Sequence, residues 1–281
     1  VSPGTALVDN LTVSRNAVKT SESNYAVRVK CLAPVTNLSV DDNSVVQVGN
    51  VANPVNGSGN IYLFLPNTSA FGTRDAATGV SVCRNKVSGV TNGNYGEAAI
   101  LLTSPVGLTT EGKNISVDGN EVFNHVGAAI KVNFGYDALH NLSVSGNNIQ
   151  QALAAGGAAG DATIEVNLNG GGGFVLSGNR LGVTSRKGIY VSGGSATSQL
   201  EGVTLTGNTV DFTGGAGAAE EGMYVFWQQS LASVTVTGNT VRGADAGIYV
   251  DGGQATSGLF FNPSLVRGVT VTGNSLTADT Y

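Results

Sequence analysis

The chain has 281 residues, a formal net charge of −5 and 12% charged residues. This acidic balance argues against general affinity for nucleic acid or anionic membranes, and no apolar run approaches the ~18 residues needed to insert into a bilayer. The 41 glycines and 41% apolar residues indicate a folded chain with many tight turns rather than a disordered one.

One eight-residue unit recurs from end to end, and it alternates apolar and polar residues before it passes through an Asn. Its nine copies are LTVSRNAV (11–18), LSVDDNSV (38–45), VSVCRNKV (80–87), ISVDGNEV (115–122), LSVSGNNI (142–149), FVLSGNRL (174–181), VTLTGNTV (203–210), VTVTGNTV (234–241) and VTVTGNSL (269–276). Such alternation is the period of a half-buried strand. A unit that recurs every 27 to 42 residues is typical of a solenoid, in which each repeat buries its apolar face against its neighbours.

A second alternating segment follows each of the first eight units. These segments are AVRVKC (26–31), IYLFL (61–65), AILLT (99–103), AIKVN (129–133), TIEVNL (163–168), GIYVS (188–192), GMYVF (222–226) and GIYVD (247–251). The residues after each Asn predict a third, very short strand beyond a left-handed bend at the Gly-Asn pair. Three strands per turn predict a single all-β domain over residues 1–281, a right-handed single-stranded parallel β-helix of about nine rungs. Because the repeats begin almost at Val1 and continue almost to Tyr281, we expect the domain to be a module of a longer chain.

The repeated unit with its Gly-Asn bend, followed by G-I-x-V, closely resembles the right-handed β-helices of the pectate-lyase-like superfamily. That superfamily includes polysaccharide lyases, polygalacturonases, alginate epimerases and phage tailspikes. The resemblance runs from Leu11 to about Leu276, and it implies the fold without implying one chemistry.

The most regular features predict scaffold. An Asn at the same bend in every rung predicts a ladder of hydrogen-bonded amides along the axis. Thr or Ser fills the first outward position of the first strand in every copy except the one with Val175. Such a face could order water, but the T-x-T form is confined to the last three copies, and unequal rung lengths argue against a regular lattice. We therefore expect a solvated face.

The outward residues of the second strands are the least regular. They read Arg28, Tyr62, Leu101, Lys131, Glu165, Tyr190, Tyr224 and Tyr249, followed two residues later by Lys30, Phe64, Thr103, Asn133, Asn167, Ser192, Phe226 and Asp251. Sugar rings have apolar faces and hydroxyl edges, so aromatic rings beside charges and amides predict a substrate-binding strip. Its candidate residues are Lys131, Tyr190, Tyr224, Tyr249, Phe226 and Asp251. Stacking between rungs, or a contact between subunits, accounts for the same rings equally well.

Asp161 and Glu165 are the first candidates for a catalytic pair. Glycosidases use two carboxyl groups about 5–5.5 Å apart for retention, or about 6.5–9.5 Å apart for inversion. Neighbouring and alternate rungs of a β-helix supply both spacings. Glu165 next to Lys131 is also the pattern of a surface ion pair, which is the interpretation we favour for those two residues.

The stretch NFGYDALH (133–140) contains a second set of candidates. Abstraction of a proton next to a uronate carboxylate needs a base such as Tyr, His or Lys, and these types occur here within ten residues of Lys131. The stretch faintly resembles the Y-G-F-D-P-H motif of alginate C5-epimerases, with Asp137 and His140 in matching positions. It lacks the Pro, has one more residue before the His and places the Tyr differently, so a turn loop with a polar rim is the favoured interpretation.

No cofactor or metal site is predicted, since the chain has only two His and no Cys pair with ligand spacing. The patterns favour an extracellular or virion-surface β-helix that binds a polysaccharide and could depolymerise it as a tailspike-like glycosidase or lyase. One alternative is a non-enzymatic structural or adhesive shaft, formed as a homotrimer whose aromatic faces pack between subunits. The other is a free-standing uronate lyase or C5-epimerase.

Overall fold

The structure is a computed structural model, and it describes residues 7–20, 25–48, 59–67, 73–89, 98–125, 127–151, 162–183, 187–193, 199–212, 221–227, 230–252 and 266–277. Over these ranges the secondary structure consists of strands, which all pair in parallel. The predicted fold class is confirmed: the chain is an all-β parallel β-solenoid with three walls.

The first-strand wall contains the part of each repeated unit that precedes the Asn. Its strands are β1 (Val8–Asp9), β2 (Thr12–Ser14), β5 (Val35–Asp41), β8 (Asp75–Cys83), the C-terminal parts of β10 (Ala98–Asp118) and β12 (Ala128–Ser145), β15 (Gly171–Ser177), β18 (Gln199–Thr206), β21 (Ser230–Thr237), β24 (Val266–Arg267) and β25 (Thr270–Thr272). The short-strand wall follows each Asn as a nine-stranded sheet. Its strands are β3 (Ala17–Thr20), β6 (Ser44–Gln47), β9 (Lys86–Ser88), β11 (Glu121–His125), β13 (Asn148–Gln151), β16 (Arg180–Gly182), β19 (Thr209–Asp211), β22 (Thr240–Arg242) and β26 (Ser275–Thr277).

The second-strand wall closes each turn. Its strands are β4 (Val27–Lys30), β7 (Gly59–Phe64), the N-terminal parts of β10 and β12, β14 (Ala162–Leu168), β17 (Lys187–Gly193), β20 (Glu221–Trp227) and β23 (Ala246–Gly252). The expected two strands and a short third strand per turn are therefore present.

The solenoid has about six turns rather than the nine predicted from the number of Asn units. In the described ranges, six second strands pair with a neighbour on both sides, namely those in β7, β10, β12, β14, β17 and β20. As far as the described residues show, the outermost units supply strands to the other two walls without forming turns enclosed on both sides. A repeat count therefore overestimates the number of full turns.

A hydrophobic core runs along the axis of the solenoid. In the central rungs it contains Ile189, Val191, Val203, Leu205 and Val210, one set from each wall, and all five are 0% exposed. Burial of each such side chain stabilises the fold by roughly 1.5–3 kcal/mol relative to its exposure. The alternation of the sequence thus places the apolar residues of each strand inside the solenoid and the residues between them on its outer surface.

The predicted Asn ladder is confirmed. The backbone N–H of Asn208 donates to Oδ1 of Asn239 at 2.9 Å, and its Nδ2 donates to the same oxygen at 3.0 Å and to the carbonyl of Leu176 at 2.8 Å. The ladder joins Asn16, Asn43, Asn85, Asn120, Asn147, Asn179, Asn208, Asn239 and Asn274. Each amide satisfies backbone and side-chain groups that would otherwise be buried without partners.

Two left-handed positions mark each repeat, of which the sequence pattern revealed one. The residue before every ladder Asn has a φ between 55° and 65°, including the non-glycines Arg15, Asp42 and Arg84. A second such column lies six residues before the Asn, with φ between 53° and 74°, at Asn10, Asn37, Gly79, Asn114, Asn141, Gly173, Gly202, Ser233 and Gly268. The sequence did contain a signal for this column. Asn and Gly tolerate the left-handed conformation best, and they occupy the position in every repeat except the one with Ser233.

The outward hydroxyls of the last three repeated units lie in register on the first-strand wall. Thr204 pairs with Thr235 and Thr235 with Thr270, and Thr206, Thr237 and Thr272 align in the same way. The expectation of a solvated face on this wall stays a prediction. Differences in length are absorbed between the strands and do not shift the pairing within this wall.

Candidate functional site

The predicted outward column of the second-strand wall is in register over the whole wall. Lys131 pairs with Glu165, Glu165 with Tyr190, Tyr190 with Tyr224 and Tyr224 with Tyr249. The neighbouring column aligns Asn133, Asn167, Ser192, Phe226 and Asp251 in the same rungs. We call these ten residues the outer strip. Parallel pairing places its rungs about 4.8 Å apart.

The C-terminal half of the outer strip is an aromatic platform formed by Tyr190, Tyr224, Phe226 and Tyr249. The ring centroids of Tyr190 and Tyr224 are 5.3 Å apart, and those of Tyr224 and Tyr249 are 4.8 Å apart with the planes at 72°. Phe226 lies 6.0 Å from Tyr224. Tyr249 is 47% exposed, so the platform stacks its rings on one another and still presents them to solvent.

Charged groups surround the platform. Nζ of Lys187 lies 5.2 Å from the ring centroid of Tyr190 and 5.7 Å from that of Tyr224, and it is 3.4 Å from a carboxylate oxygen of Glu221. Burial raises the pKa of Tyr224 to about 12, and the negative charge of Asp251 contributes to the same shift. Its phenol therefore keeps its proton at neutral pH and can donate a hydrogen bond to a ligand.

The centre of the outer strip is polar and closely packed. Nζ of Lys131 lies 3.1 Å from Oε1 of Glu165, and the two side chains are only 15% and 10% exposed. Nδ2 of Asn167 donates to the same Oε1 at 2.5 Å, and the Ser192 hydroxyl donates to Oδ1 of Asn167. The ion pair of Lys131 and Glu165 was predicted and is present. One oxygen of the candidate acid Glu165 is thus held by two donors, and its proposed partner Asp161 lies outside the described residues.

The candidates of the stretch 133–140 do not form one group. The stretch is a continuous part of β12 rather than the expected turn loop, because its residues alternate between core and surface. Tyr136 is 1% exposed and packs in the core with Phe134, at a centroid distance of 5.3 Å. Lys131 faces outward on the second-strand wall, whereas Asp137 and His140 lie at the corner where β12 passes into the first-strand wall.

Asp137 and His140 belong to a charged network at that corner. Arg74 contacts Asp137 and lies 3.0 Å from Glu111. Nε2 of His140 is 3.7 Å from Glu111, and Lys113 is 3.5 Å from the same carboxylate. Opposite charges are thus matched within the network, which is the behaviour of a polar rim.

A shallow open groove of about 350 Å³ lies on the far side of His140. Its lining residues are His140, Gly171, Gly172, Gly173, Gln199, Glu201 and Gly202. Gly172 lies in register between His140 and Glu201, so the absence of a side chain opens the groove. Gly171, at the start of β15, has a φ of 123°, and a Cβ there would lie 1.9 Å from the carbonyl of Leu139, so this edge of the groove requires glycine. Gln199 and Glu201 were not identified from the sequence.

The described ranges contain no group of three or more His, Cys, Asp or Glu side chains that is placed to hold a metal ion. Those ranges also contain no helix with the length and hydrophobicity to cross a membrane. No protein-family model, curated protein or solved structure matches the chain.

Proposed function

We propose that the chain is a polysaccharide-binding β-helix of the pectate-lyase-like type, and that the glycan lies along the outer strip. The observation that carries the proposal is the aromatic platform, in which three Tyr rings follow one another rung by rung and Phe226 lies beside Tyr224 in the same rung, next to amides and charges. The apolar faces of sugar rings stack on aromatic rings, and their hydroxyls bond to groups at the edge.

The edges of the platform supply such groups. Lys187 offers a cation beside Tyr190, and Asp251 lies next to Phe226 in the adjacent rung. At its N-terminal side the platform continues into Ser192 and Asn167. A glycan that runs along the axis therefore meets apolar rings first and hydrogen-bonding side chains next to them. An extracellular or virion-surface location follows from this ligand as part of the proposal.

The proposal is for binding, and depolymerisation remains a separate hypothesis. Glu165 has its Oε1 occupied by Lys131 and Asn167, which favours a positioning role over that of a free acid. His140 and Asp137 lie at the corner network rather than on the outer strip. A hydrolase or lyase would release reducing ends or unsaturated sugars from the bound glycan, and the loss of that release in Glu165→Gln or His140→Ala would assign it.

The test is binding to a panel of immobilised polysaccharides by the wild type, Tyr190→Ala, Tyr224→Ala and a control. The control is Phe123→Ala, because Phe123 is a partly exposed ring on the short-strand wall. We expect each Tyr variant to weaken binding on the order of tenfold and the control to leave it unchanged. Equal binding by all four proteins would place the glycan elsewhere. Absence of binding, with a trimer that dissociates in Tyr224→Ala, would support the shaft instead.

A further inference from the structure

A second aromatic group lies at the N-terminal end of the second-strand wall, and its charge differs from that of the platform. This basic cluster consists of Tyr25, Arg28, Lys30, Tyr62 and Phe64. The guanidinium carbon of Arg28 lies 4.6 Å from the ring centroid of Tyr25 and 5.7 Å from that of Tyr62. Nζ of Lys30 lies 5.4 Å from the Phe64 ring. Both cations are exposed.

The rings of the basic cluster are fixed from below. Tyr62 is 7% exposed and packs on the outer face against Ala98, Leu101 and Ala128, and Tyr25 and Phe64 pack against the same group. Ring centroids of Tyr25 and Tyr62 are 5.0 Å apart. A ligand that contacts this surface therefore meets rings whose positions are already set, which lowers the entropy cost of binding.

The cations of the basic cluster differ from the other Lys side chains on this wall. Lys131 is paired with Glu165 at 3.1 Å and Lys187 with Glu221 at 3.4 Å. Within the part of the chain that the structure describes, no carboxylate lies within 4.0 Å of Arg28 or Lys30, whose contacts are with aromatic rings. The chain as a whole has 14 basic and 19 acidic residues. Arg28 and Lys30 therefore give this strand a positively charged surface in a protein whose net charge is negative.

We propose that the basic cluster is a subsite for an acidic sugar residue, one that carries a carboxylate or a sulfate, within the polysaccharide bound along the same wall. The fork of Arg28 can bind such an anion through two parallel hydrogen bonds. Lys30 lies two residues further along the same outward face, about 6.6 Å away, and adds a second positive charge. The partly exposed rings of Tyr25 and Phe64 lie under the sugar, and the buried Tyr62 supports them from below.

This inference rests on the proposed polysaccharide binding and adds the charge of the ligand to it. From Tyr62 to Tyr190 there are four rung steps, or about 19 Å. One extended glycan can therefore contact both aromatic groups. The cationic end selects the acidic sugar residue, whereas the platform at the other end lies next to Asp251 and binds the faces of sugar rings.

Single-stranded nucleic acid also combines phosphate with flat rings, and proteins bind it through basic and aromatic side chains. The basic cluster has only two cations, and the chain has a net charge of −5, which disfavours a long polyanion whose affinity depends on many phosphate contacts. An acidic polysaccharide with spaced charges fits better. Nucleic acid is kept as an outcome of the test.

The experiment measures the affinity of three proteins for matched probes. The proteins are the wild type, the double variant Arg28→Gln with Lys30→Gln, and the control Lys86→Gln. Lys86 also lies over a ring, 5.5 Å from Phe123, but it is on the short-strand wall and pairs with Glu121 at 3.1 Å. The probes are oligogalacturonate and its full methyl ester, a sulfated galactan and its unsulfated form, and an oligothymidylate of similar charge.

We expect the wild type to bind at least one acidic probe about tenfold more tightly than its neutral counterpart. The double variant should lose that preference and keep its affinity for the neutral probe, while the control should behave as the wild type. Which acidic probe is preferred identifies the carboxylate or the sulfate as the recognised group.

Three results would overturn the inference. If acidic and neutral probes bind equally and the double variant changes neither, the anionic subsite is absent although the proposed function stands. If oligothymidylate binds more tightly than every saccharide, the ligand class is wrong. If no saccharide binds the wild type, the subsite and the proposed function fail together.

Discussion

The Asn ladder and the outer strip are built on the same rungs, yet they differ in how much they vary. Along the ladder, all nine positions carry Asn, and the same side chain to side chain hydrogen bond repeats at each of the eight steps, at 2.9–3.0 Å. Along the outer strip, the residue changes from Lys131 to Glu165 to Tyr190 while the backbone pairing stays unchanged. A position that is held constant serves the fold, whereas a position that varies under constant geometry is available for recognition.

Disruption of the Asn ladder should cause the largest loss of stability. Asn208→Leu removes an amide that donates to Leu176 and Asn239 and accepts from Asn179. It leaves several buried groups without partners, at a cost of about 1–3 kcal/mol each. We expect a loss of about 4 kcal/mol in the free energy of unfolding, measured by urea denaturation. The control Asn148→Ala replaces an exposed Asn of β13 and should change stability by less than ~0.5 kcal/mol; similar losses in both variants would contradict the ladder's role.

Acid should destabilise the folded protein through the buried side chain of His125. Burial lowers the pKa of His125 to about 4, below the value of about 6.5 in an unfolded chain. Between these pH values the unfolded state binds more protons, so stability rises with pH. The stabilisation is fully present above pH 6.5 and is lost as the pH falls toward 4, by up to ~3 kcal/mol. Unfolding measured across this range should show the slope in the wild type and a smaller slope in His125→Leu; an unchanged slope would show that another group titrates.

The left-handed bend before the ladder should have a smaller effect. Gly207 has a φ of 64°, and a Cβ there would meet only one atom, at 4.0 Å. Gly207→Ala should therefore cost about 1–2 kcal/mol through its backbone alone. The matched change is Gly182→Ala, at a position without a left-handed φ where a Cβ has ordinary contacts from 3.6 Å. The melting temperature should fall more in Gly207→Ala than in Gly182→Ala. An equal fall in both variants would indicate that steric contacts of the new Cβ, rather than backbone conformation, cause the loss of stability.

The smallest effect on stability is expected on the outer strip. Tyr249→Ala removes a ring that is 47% exposed and should change the free energy of unfolding by less than ~1 kcal/mol. Glycan affinity should nevertheless fall in this variant, because its ring forms the C-terminal end of the platform. A large loss of stability with unchanged affinity would reverse the distinction between scaffold and recognition surface.

Much of the fold could be predicted because its signals are periodic. Alternation fixed which residues face inward, the repeated Asn predicted the ladder, and the columns from Lys131 to Tyr249 aligned as expected. The continuous strand at Tyr136 was missed because composition and a motif outweighed its alternation. The second left-handed column was missed because Asn141 and Gly173 are different residues with the same backbone conformation.

The candidate site was less predictable, since contacts between side chains depend on packing that a single sequence does not encode. Sequence spacing placed Lys131 beside Glu165, but not the second donor from Asn167 that occupies the same carboxylate oxygen. It grouped His140 with Tyr136, which the pleat of β12 separates into surface and core. The groove beside His140 required Glu201, two rungs away.

The most direct test of the account is hydroxyl-radical footprinting of the protein with and without a bound oligosaccharide. Saturating glycan should protect Tyr190, Tyr224 and Tyr249 from oxidation, while Phe123 on the short-strand wall should react as before. Protection of Phe123, or equal reactivity of the three Tyr rings with and without glycan, would contradict the assignment of the outer strip as the binding surface.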